Sequence, residues 1–272
     1  MPEGDTVWRT ARRLHAALAG RQLLRTDFRV PRYATLDLSG RTVDEAVSRG
    51  KHLLIRAGDL SIHSHLLMEG SWQVYRPGER WRKPGFQARV VLETAAATAV
   101  GFQLGLLDVV PRSREDEVVG HLGPDLLGPD WDEDEALRRL RLDPERPVGL
   151  ALLDQRNLAG IGNIYRCEVC FLARVHPLTP VAEVPDLQQV VRLSKQLLEA
   201  NKDRGARSTT GGPAGGTIGR AGGYWVYGRA RQPCRRCGGP VAYARLGNTE
   251  LDQRDLYYCP RCQPGPAAGP TV

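Results

Sequence analysis

Long apolar runs are missing from this 272-residue sequence, because no stretch approaches the roughly 18 residues that a membrane-spanning helix needs. Its first residues lack the basic segment and the apolar core of a secretory signal. No internal repeat is visible either. We therefore expect a cytoplasmic protein, and in that reducing compartment the six cysteines are better explained as metal ligands or free thiols than as disulfides.

Acidic residues are scarce in one part of the chain. Residues 201–262 hold 11 Lys/Arg against 4 Asp/Glu, whereas the rest of the chain holds 27 of each sign. The formal net charge of +7 is thus concentrated near the C-terminus. This favours nucleic acid as the partner, because such cations neutralise its phosphates; a solvated basic surface is the alternative.

The spacing of apolar residues predicts an α+β chain. Residues 5–19 show the spacing of an amphipathic helix that ends at Gly20. Short apolar or alternating runs predict strands of an antiparallel sandwich or barrel at 22–28, 42–48, 52–55, 60–64, 71–75, 88–93 and 99–103. Helical periodicity returns at 134–142, 148–153, 164–171 and 187–201.

Composition places the domain boundaries. Residues 116–131 are rich in Pro, Gly and acidic residues, as a connection between domains would be. Gly, Arg, Thr and Ser dominate 203–223, which predicts a flexible loop. The expected parts are an N-terminal β-sandwich domain (1–115), the connection (116–131), a helical domain with its loop (132–223), a cysteine-bearing unit (224–263) and a disordered tail (264–272).

Two Cys-x2-Cys pairs predict a zinc site. Four thiolates at this spacing can form the tetrahedron that Zn²⁺ prefers, and a site filled by four protein ligands is structural. The alternating segment between the pairs predicts a β-hairpin that turns around 247–251. The ligands are Cys234, Cys237, Cys259 and Cys262.

Cys167 and Cys170 also form a Cys-x2-Cys pair, but they lie in a helical segment with no second pair nearby. We interpret them as free thiols packed in a core.

The chain starts Met1-Pro2-Glu3-Gly4-Asp5. If Met1 is removed, Pro2 carries a secondary amine, which can attack an electrophilic carbon and form an iminium. Taken alone, a proline here more often means a stiff start before a helix.

Three motifs in this order resemble the formamidopyrimidine-DNA glycosylase/endonuclease VIII family: Pro2-Glu3-Gly4-Asp5, the run from Leu153 to Tyr165, and Tyr258-Cys259-Pro260-Arg261-Cys262-Gln263. The resemblance covers residues 1 to about 263 of the chain. Gly4-Asp5 resembles the endonuclease VIII branch, and the Arg/Ala/Gly-rich composition resembles actinobacterial members. The resemblance implies a helix–two-turns–helix element and a zinc-finger hairpin.

The same resemblance implies a bifunctional DNA glycosylase and abasic-site lyase of base-excision repair, which cleaves the strand by β,δ-elimination. Its partner would be double-stranded DNA with oxidised bases or abasic sites, and single-stranded DNA is a further candidate. It would work as a monomer in a bacterial cytoplasm, associated with the nucleoid. No organic cofactor is needed.

The resemblance also assigns the catalytic residues. Pro2 would attack the sugar C1′, and Glu3 would act as a general acid or proton shuttle. Lys51, in the family's hairpin, and Arg254, in its zinc finger, would bind phosphates beside the reacting nucleotide. Asn163, with Gly160 and Gly162 before it, would bind another phosphate, although a helix-start Asn can also cap its own backbone.

Leu67 and Met68 match the loop that fills the gap left by an extruded base. Glu69 follows them where endonuclease VIII has an aromatic residue, so the sequence does not define the preference for the opposite base.

Two alternatives stay open at this point. Branch resemblance favours oxidised pyrimidines, but the sister specificity for formamidopyrimidines and oxidised guanine uses the same residues. A catalytically silent zinc-finger DNA-binding protein would keep the basic and zinc features and dispense with Pro2 and Glu3.

Overall fold

The computed structural model describes residues 2–210 and 223–265. Met1, most of the expected loop at 203–223 and the tail beyond residue 265 lie outside the described residues. The chain divides into two compact units, Met1–His121 and Leu122–Val272. The division falls inside the segment 116–131 that composition suggested as a connection. None of the helices in the described residues is both long and apolar enough to cross a membrane.

Unit 1 consists of one long helix and two antiparallel sheets. The elements are α1 (Gly4–Leu18), β1 (Arg25–Phe28), β2 (Val43–Arg49), β3 (His52–Ala57), β4 (Leu60–His65), β5 (Ser71–Tyr75), β6 (Ala88–Glu93), β7 (Thr98–Phe102), β8 (Leu106–Pro111) and the short α2 (Asp116–Val119). The strand orders are β1-β6-β7-β5 and β2-β3-β4-β8. One core takes Leu14 from α1, Ile55 from β3 and Val90 from β6, as the predicted sandwich requires.

The strand that the sequence did not predict is β8. It lies at the edge of its sheet and pairs with β4 from Leu60–Pro111 to His65–Leu106. Its residues are half-buried or exposed without alternation, so the period-2 pattern of a strand with one buried face is missing. Pro111 is tolerated because an edge strand can do without one ladder hydrogen bond.

Unit 2 combines helices with a hairpin. Its elements are α3 (Glu133–Leu140), α4 (Val148–Ala151), α5 (Asn163–Leu172), α6 (Leu187–Asn201), β9 (Ala242–Leu246) and β10 (Arg254–Tyr258). Asp132 and Asp186 cap α3 and α6, because their carboxylates accept backbone N–H groups at 2.9 and 2.7 Å. These elements confirm the predicted helices, and the β9–β10 turn falls where the hairpin turn was expected.

Helix α5 contributes to two cores of unit 2. Val169 and Cys170 pack with the other helices, whereas Cys167 and Phe171 pack with the hairpin and its Leu256. Every residue from Asn163 to Phe171 is buried as a result. Both cysteines are free thiols, as predicted, and burial raises the pKa of Cys167 to about 11 and of Cys170 to about 12.

Candidate active site and zinc site

The start of α1 holds the candidate amine and carboxyl group. Glu3 is the residue before the helix, and its carbonyl accepts the N–H groups of Thr6 at 2.9 Å and Val7 at 3.1 Å. Pro2 is partly exposed, whereas Glu3 and Asp5 are fully buried. The positive end of the helix dipole favours carboxylates at this position. The residue that follows Pro2 therefore carries a carboxyl group that is shielded from bulk water.

Helix α1 runs antiparallel to β2, which fixes where its start lies. Gly20 N–H donates to the Val43 carbonyl at 2.8 Å, and Ala46 N–H donates to His15 Nδ1 at 3.3 Å. From His15 back to Gly4 the helix covers roughly 16 Å, while β2 covers about 10 Å from Ala46 to its end. The start of α1 and the β2–β3 turn therefore lie at the same end of unit 1.

Lys51 occupies that turn. Arg49 pairs with His52, so Gly50 and Lys51 alone connect the strands. Gly50 has φ +57°, a left-handed conformation that favours glycine. Since His52 also pairs with His65, the segment after β4 leaves the sheet at this end too. We call this side, formed by the start of α1, the β2–β3 turn and residues 66–70, the loop end of unit 1.

Residues 66–70 form a tight loop, which we call the wedge loop. Leu66 is buried in the core, whereas Leu67 and Met68 expose 51% and 59% of their surface. Leu67 has φ +49°, and its N–H donates to His65 Nδ1 at 3.0 Å. Gly70 N–H donates to the Leu66 carbonyl at 2.9 Å. The loop thus holds two apolar side chains outward in a defined conformation.

Glycines permit this packing. A Cβ on Gly70 would lie 2.4 Å from the Leu66 carbonyl oxygen. A Cβ on Gly105, in the β7–β8 turn, would lie 2.2 Å from Leu67 Cδ1. Gln103 in the same turn donates to Glu69 at 3.3 Å. The β7–β8 turn therefore packs against the wedge loop and supports its conformation. Sequence analysis offered no indication of this role.

Histidines line the loop end. His52 Nδ1 and His63 Nε2 are 2.8 Å apart, and their rings stack at 5.0 Å. The His65 and His121 rings lie 5.0 and 6.0 Å from that of His52. Burial, with smaller contributions from the neighbouring histidines and Lys51, lowers the pKa of His52 to about 3; burial, then Lys51 and His63, lowers that of His65 to about 4. The only sequence signal for this group is the alternation of His63 and His65 on one strand.

Asn163 begins α5 and is tied to the hairpin of unit 2. Its Nδ2 donates to the Asp255 carbonyl at 2.7 Å, and its Oδ1 accepts from Arg166. Arg166 is fully buried and also donates to the Asp255 carbonyl, at 3.0 Å. Arg254 precedes Asp255 at the exposed start of β10, so the structure places Arg254 next to the residue that Asn163 contacts.

The turn before α5 is organised by Gln155. Its side-chain amide donates to the carbonyls of Leu153 and Ile161, at 2.8 and 2.9 Å, and accepts from Gly160 N–H at 3.0 Å. Gly160 has φ +114°. This explains why glycine is needed where the chain enters the helix. Neither Gln155 nor Arg166 was assigned a role from the sequence.

Glu168, on the same helix, holds the chain on both sides of residues 211–222. Its carboxylate is buried and accepts the N–H groups of Trp225, Val226 and Tyr227 at 2.7–2.9 Å. It also accepts from the Thr209 hydroxyl. This second buried charge of α5 was missed as well, because a single Glu in a helical pattern carries no signal.

The four predicted cysteines converge. Their sulfur atoms all lie within 4.8 Å of one another, and no other group of three or more His, Cys, Asp or Glu in residues 2–210 and 223–265 is so arranged. A tetrahedral zinc–thiolate site with bonds of about 2.3 Å requires sulfur atoms about 3.8 Å apart. The measured Cys234–Cys262 and Cys237–Cys259 separations of 3.9 and 3.5 Å fit.

Gln263 connects this site to the helical core. Its Oε1 accepts from Cys259 N–H and its Nε2 donates to the Val175 carbonyl, both at 2.9 Å. Gln263 is fully buried. The last residue of the C-terminal motif therefore fixes the orientation of the second cysteine pair.

Comparison with known proteins identifies the family. Residues 1–105 match the formamidopyrimidine-DNA glycosylase N-terminal domain, and residues 122–210 match the formamidopyrimidine-DNA glycosylase H2TH domain. The chain is 57% identical to "Probable endonuclease 8 2" of Streptomyces coelicolor, over 99% of this chain and 96% of that protein. The chain belongs to the formamidopyrimidine-DNA glycosylase/endonuclease VIII family.

Two further comparisons agree. The protein named DNA-(apurinic or apyrimidinic site) lyase Nei2 of Mycolicibacterium smegmatis is 50% identical, over 97% of this chain and 99% of that one. A Lactococcus lactis Fpg structure in complex with abasic-site DNA shares the fold, with a TM-score of 0.77 at 23% identity, covering 96% of this chain and 99% of that one.

Family membership confirms the predictions of fold and enzyme class. The chain is a DNA glycosylase and abasic-site lyase of base-excision repair, in the endonuclease VIII branch, and its four cysteines are arranged to hold a structural zinc. The roles of the individual residues stay predictions.

Proposed function

We propose that this enzyme excises oxidised pyrimidines from DNA through Pro2 and cleaves the strand by β,δ-elimination. The observation that carries the proposal is that four groups lie at the loop end of unit 1. They are the Pro2 amine, the buried carboxyl group of Glu3, Lys51 in its tight turn and the exposed apolar side chains of the wedge loop. The preference for pyrimidines is supported by the endonuclease 8 names of the relatives at 50–57% identity.

The first step replaces the bond from C1′ to the base with a bond from C1′ to nitrogen. Once Met1 is removed, the Pro2 nitrogen donates its electron pair to C1′, and the base leaves with the glycosidic electrons and the proton that the Pro2 nitrogen gives up. Glu3 supplies a proton to O4′ as the sugar ring opens, which leaves an iminium between Pro2 and the sugar. The buried position of Glu3 suits this role because no water competes for the proton.

Strand cleavage follows from the iminium. It acidifies the hydrogens on C2′, so that loss of one expels the 3′ phosphate; a second elimination expels the 5′ phosphate. Water then hydrolyses the iminium and returns the free Pro2 amine. Lys51 binds a phosphate beside C1′ and offsets the negative charge that accumulates during these steps.

Unit 2 holds the DNA by its backbone. The second Nδ2 hydrogen of Asn163 and the guanidinium of Arg254 contact phosphates that flank the extruded nucleotide. Leu67 and Met68 fill the space that this nucleotide leaves in the duplex. The substrate is double-stranded DNA with an oxidised base or an abasic site, and single-stranded DNA with the same lesions is a further candidate. The enzyme acts as a monomer in the bacterial cytoplasm, at the nucleoid.

The test is sodium borohydride trapping on a panel of duplexes that carry an oxidised pyrimidine, a formamidopyrimidine, oxidised guanine or an abasic site. We expect an adduct with the wild-type enzyme, fastest on the oxidised pyrimidine. Pro2→Gly should retain a small residual yield through its primary amine, and Glu3→Gln should lose base release. Glu117→Gln, an exposed carboxylate paired with Arg114, is the matched control and should behave as wild type.

Two outcomes would contradict the proposal. If purine lesions react fastest, the specificity is that of the sister branch. If intact mass shows that Met1 is retained and no adduct forms, the chain is a silent DNA-binding member of the family.

A further inference from the structure

The connection between β5 and β6, residues 76–87, returns across one face of the sheet that contains both strands. β5 is the last strand of its sheet. Tyr75 ends β5 opposite Thr98, whereas Ala88 begins β6 opposite Phe102, which also pairs with Ser71. The connection therefore travels from the far end of β5 back to the loop end. On the way it crosses one face of the sheet, where Trp81 packs against a small core that includes Val91 and Val100.

Hydrogen bonds fix this connection along its length. Arg82 N–H donates to the Tyr75 hydroxyl at 3.2 Å, and Lys83 Nζ donates to the Ser71 hydroxyl at 2.9 Å. Ser71 is the first residue after the wedge loop. Further along, the Arg29 and Arg89 guanidiniums donate to the carbonyls of Gly85 and Phe86, each at 3.1 Å. The connection is thus preorganised beside the wedge loop.

Two aromatic rings belong to this connection. Phe86 exposes 80% of its surface. Trp81 packs edge-on against Phe102 at 5.9 Å, and the Arg29 guanidinium lies 5.2 Å from its centre. Most of the Phe86 ring surface is therefore available to a stacking partner, in a loop that hydrogen bonds hold in place.

The same segment is strongly basic. Residues 76–89 carry five Lys/Arg and one Asp/Glu, a net charge of +4 outside the basic C-terminal segment. The Arg82 side chain is 75% exposed and approaches Glu79 only at 4.0 Å. The residues Glu79–Gly85 surround an open cleft of about 580 Å³. Positive charge beside an exposed aromatic ring suits a nucleic-acid strand, which offers phosphates and base faces together.

We propose that residues 76–89 with Arg29, the basic–aromatic loop, form a second DNA contact surface beside the wedge loop. Its cations bind backbone phosphates, and Phe86 stacks on a base that loses its pairing when the wedge enters the duplex. The proposal rests on the proposed function, because it requires the wedge to displace a base. DNA is favoured over an acidic protein because the surface is continuous, through Ser71 and Lys83, with the wedge loop.

The experiment measures affinity for a duplex with a stable abasic-site analogue as a function of salt. In Arg80→Ala/Arg82→Ala we expect a salt slope reduced by about 1.8, since each lost phosphate contact contributes about 0.9. Phe86→Ala should weaken binding of this duplex five-fold or more through lost stacking and leave the affinity for undamaged duplex unchanged. The control is Arg114→Ala, an exposed arginine that follows the opposite end of β8, which should change neither quantity.

The outcomes separate this inference from the proposed function. If wild-type enzyme gives no borohydride adduct, the catalytic proposal fails. If the adduct forms but the double variant keeps the wild-type salt slope, or Phe86→Ala keeps the wild-type affinity for the lesion duplex, the second DNA surface is wrong.

Discussion

Replacing Asn163 should destabilise unit 2 more than replacing Arg166, the buried charged residue that it contacts. The Arg166 guanidinium is fully buried, and its Nε and Nη1 have no hydrogen-bond partner among the described residues. Its Nη2 depends on two acceptors, Asn163 Oδ1 and the Asp255 carbonyl. Asn163→Ala leaves the buried charge with one acceptor. Loss of a hydrogen bond to a buried charged group costs about 1.5–3 kcal/mol, so we expect the free energy of unfolding to fall by about 2 kcal/mol.

Arg166→Met should have a smaller effect on stability. Methionine has a similar length and fills the space, while the cost of burying a charge disappears. The lost hydrogen bonds lower the free energy of unfolding by a few kcal/mol, and the removal of the buried charge raises it by a similar amount. We therefore expect a net change in the free energy of unfolding below about 1 kcal/mol. The double variant Asn163→Ala/Arg166→Met should then be more stable than Asn163→Ala alone, with a coupling energy of about 1–3 kcal/mol.

Hydrogen exchange measured by mass spectrometry is the assay, because it reports on α5 and the hairpin separately from unit 1. Zinc content is measured in parallel, so that loss of the metal is not mistaken for loss of the pair. If the two single-variant effects add without coupling, Arg166 and Asn163 do not depend on each other. The reasoning about the buried guanidinium would then be refuted.

Three other predictions concern the loop end and the metal. The pKa of His65 in the folded state is about 4, below its ordinary value of about 6.5, so the unfolded state binds the proton first as the pH falls. The contribution of His65 to the free energy of unfolding should therefore be complete above pH 6.5 and decline towards pH 4, by at most about 1.4 kcal/mol per pH unit. His65→Gln should flatten that decline when melting is measured as a function of pH. Gly105→Ala should displace the Leu67 side chain and slow base release from duplex DNA, but leave cleavage of single-stranded abasic DNA unchanged; equal slowing on both substrates would contradict a wedge role. Cys237→Ser should lose zinc and weaken DNA binding, whereas an unchanged zinc content by elemental analysis would disprove four-thiolate ligation.

Periodicity and spacing were enough to predict most of the fold. The α-helices other than the four-residue α2, and seven of the eight strands described in unit 1, follow from the spacing of apolar residues. β8 does not, since its residues are half-exposed on an edge. The zinc ligands could be predicted because two Cys-x2-Cys pairs at this spacing are typical of metal binding. No local pattern distinguishes Cys167 and Cys170 from such ligands except their helical context.

The interactions that support the site could not be predicted in the same way. Arg166 and Glu168 are buried charges whose partners lie about 40–90 residues away, in Thr209, Trp225 and Asp255. His52, His63 and His65 come together through the β3–β4 register, and His121 reaches them from the segment after α2. Such contacts depend on tertiary packing, so the sequence shows the side chains and not their partners.

The central claim is that the Pro2 nitrogen forms the covalent bond to the sugar. The most direct measurement is peptide mapping by mass spectrometry of the enzyme reduced with borohydride while it acts on an abasic-site duplex. The account predicts a deoxyribose remnant on the N-terminal peptide, at Pro2, in a chain that has lost Met1. A remnant on Lys51 or on any other side chain would contradict it.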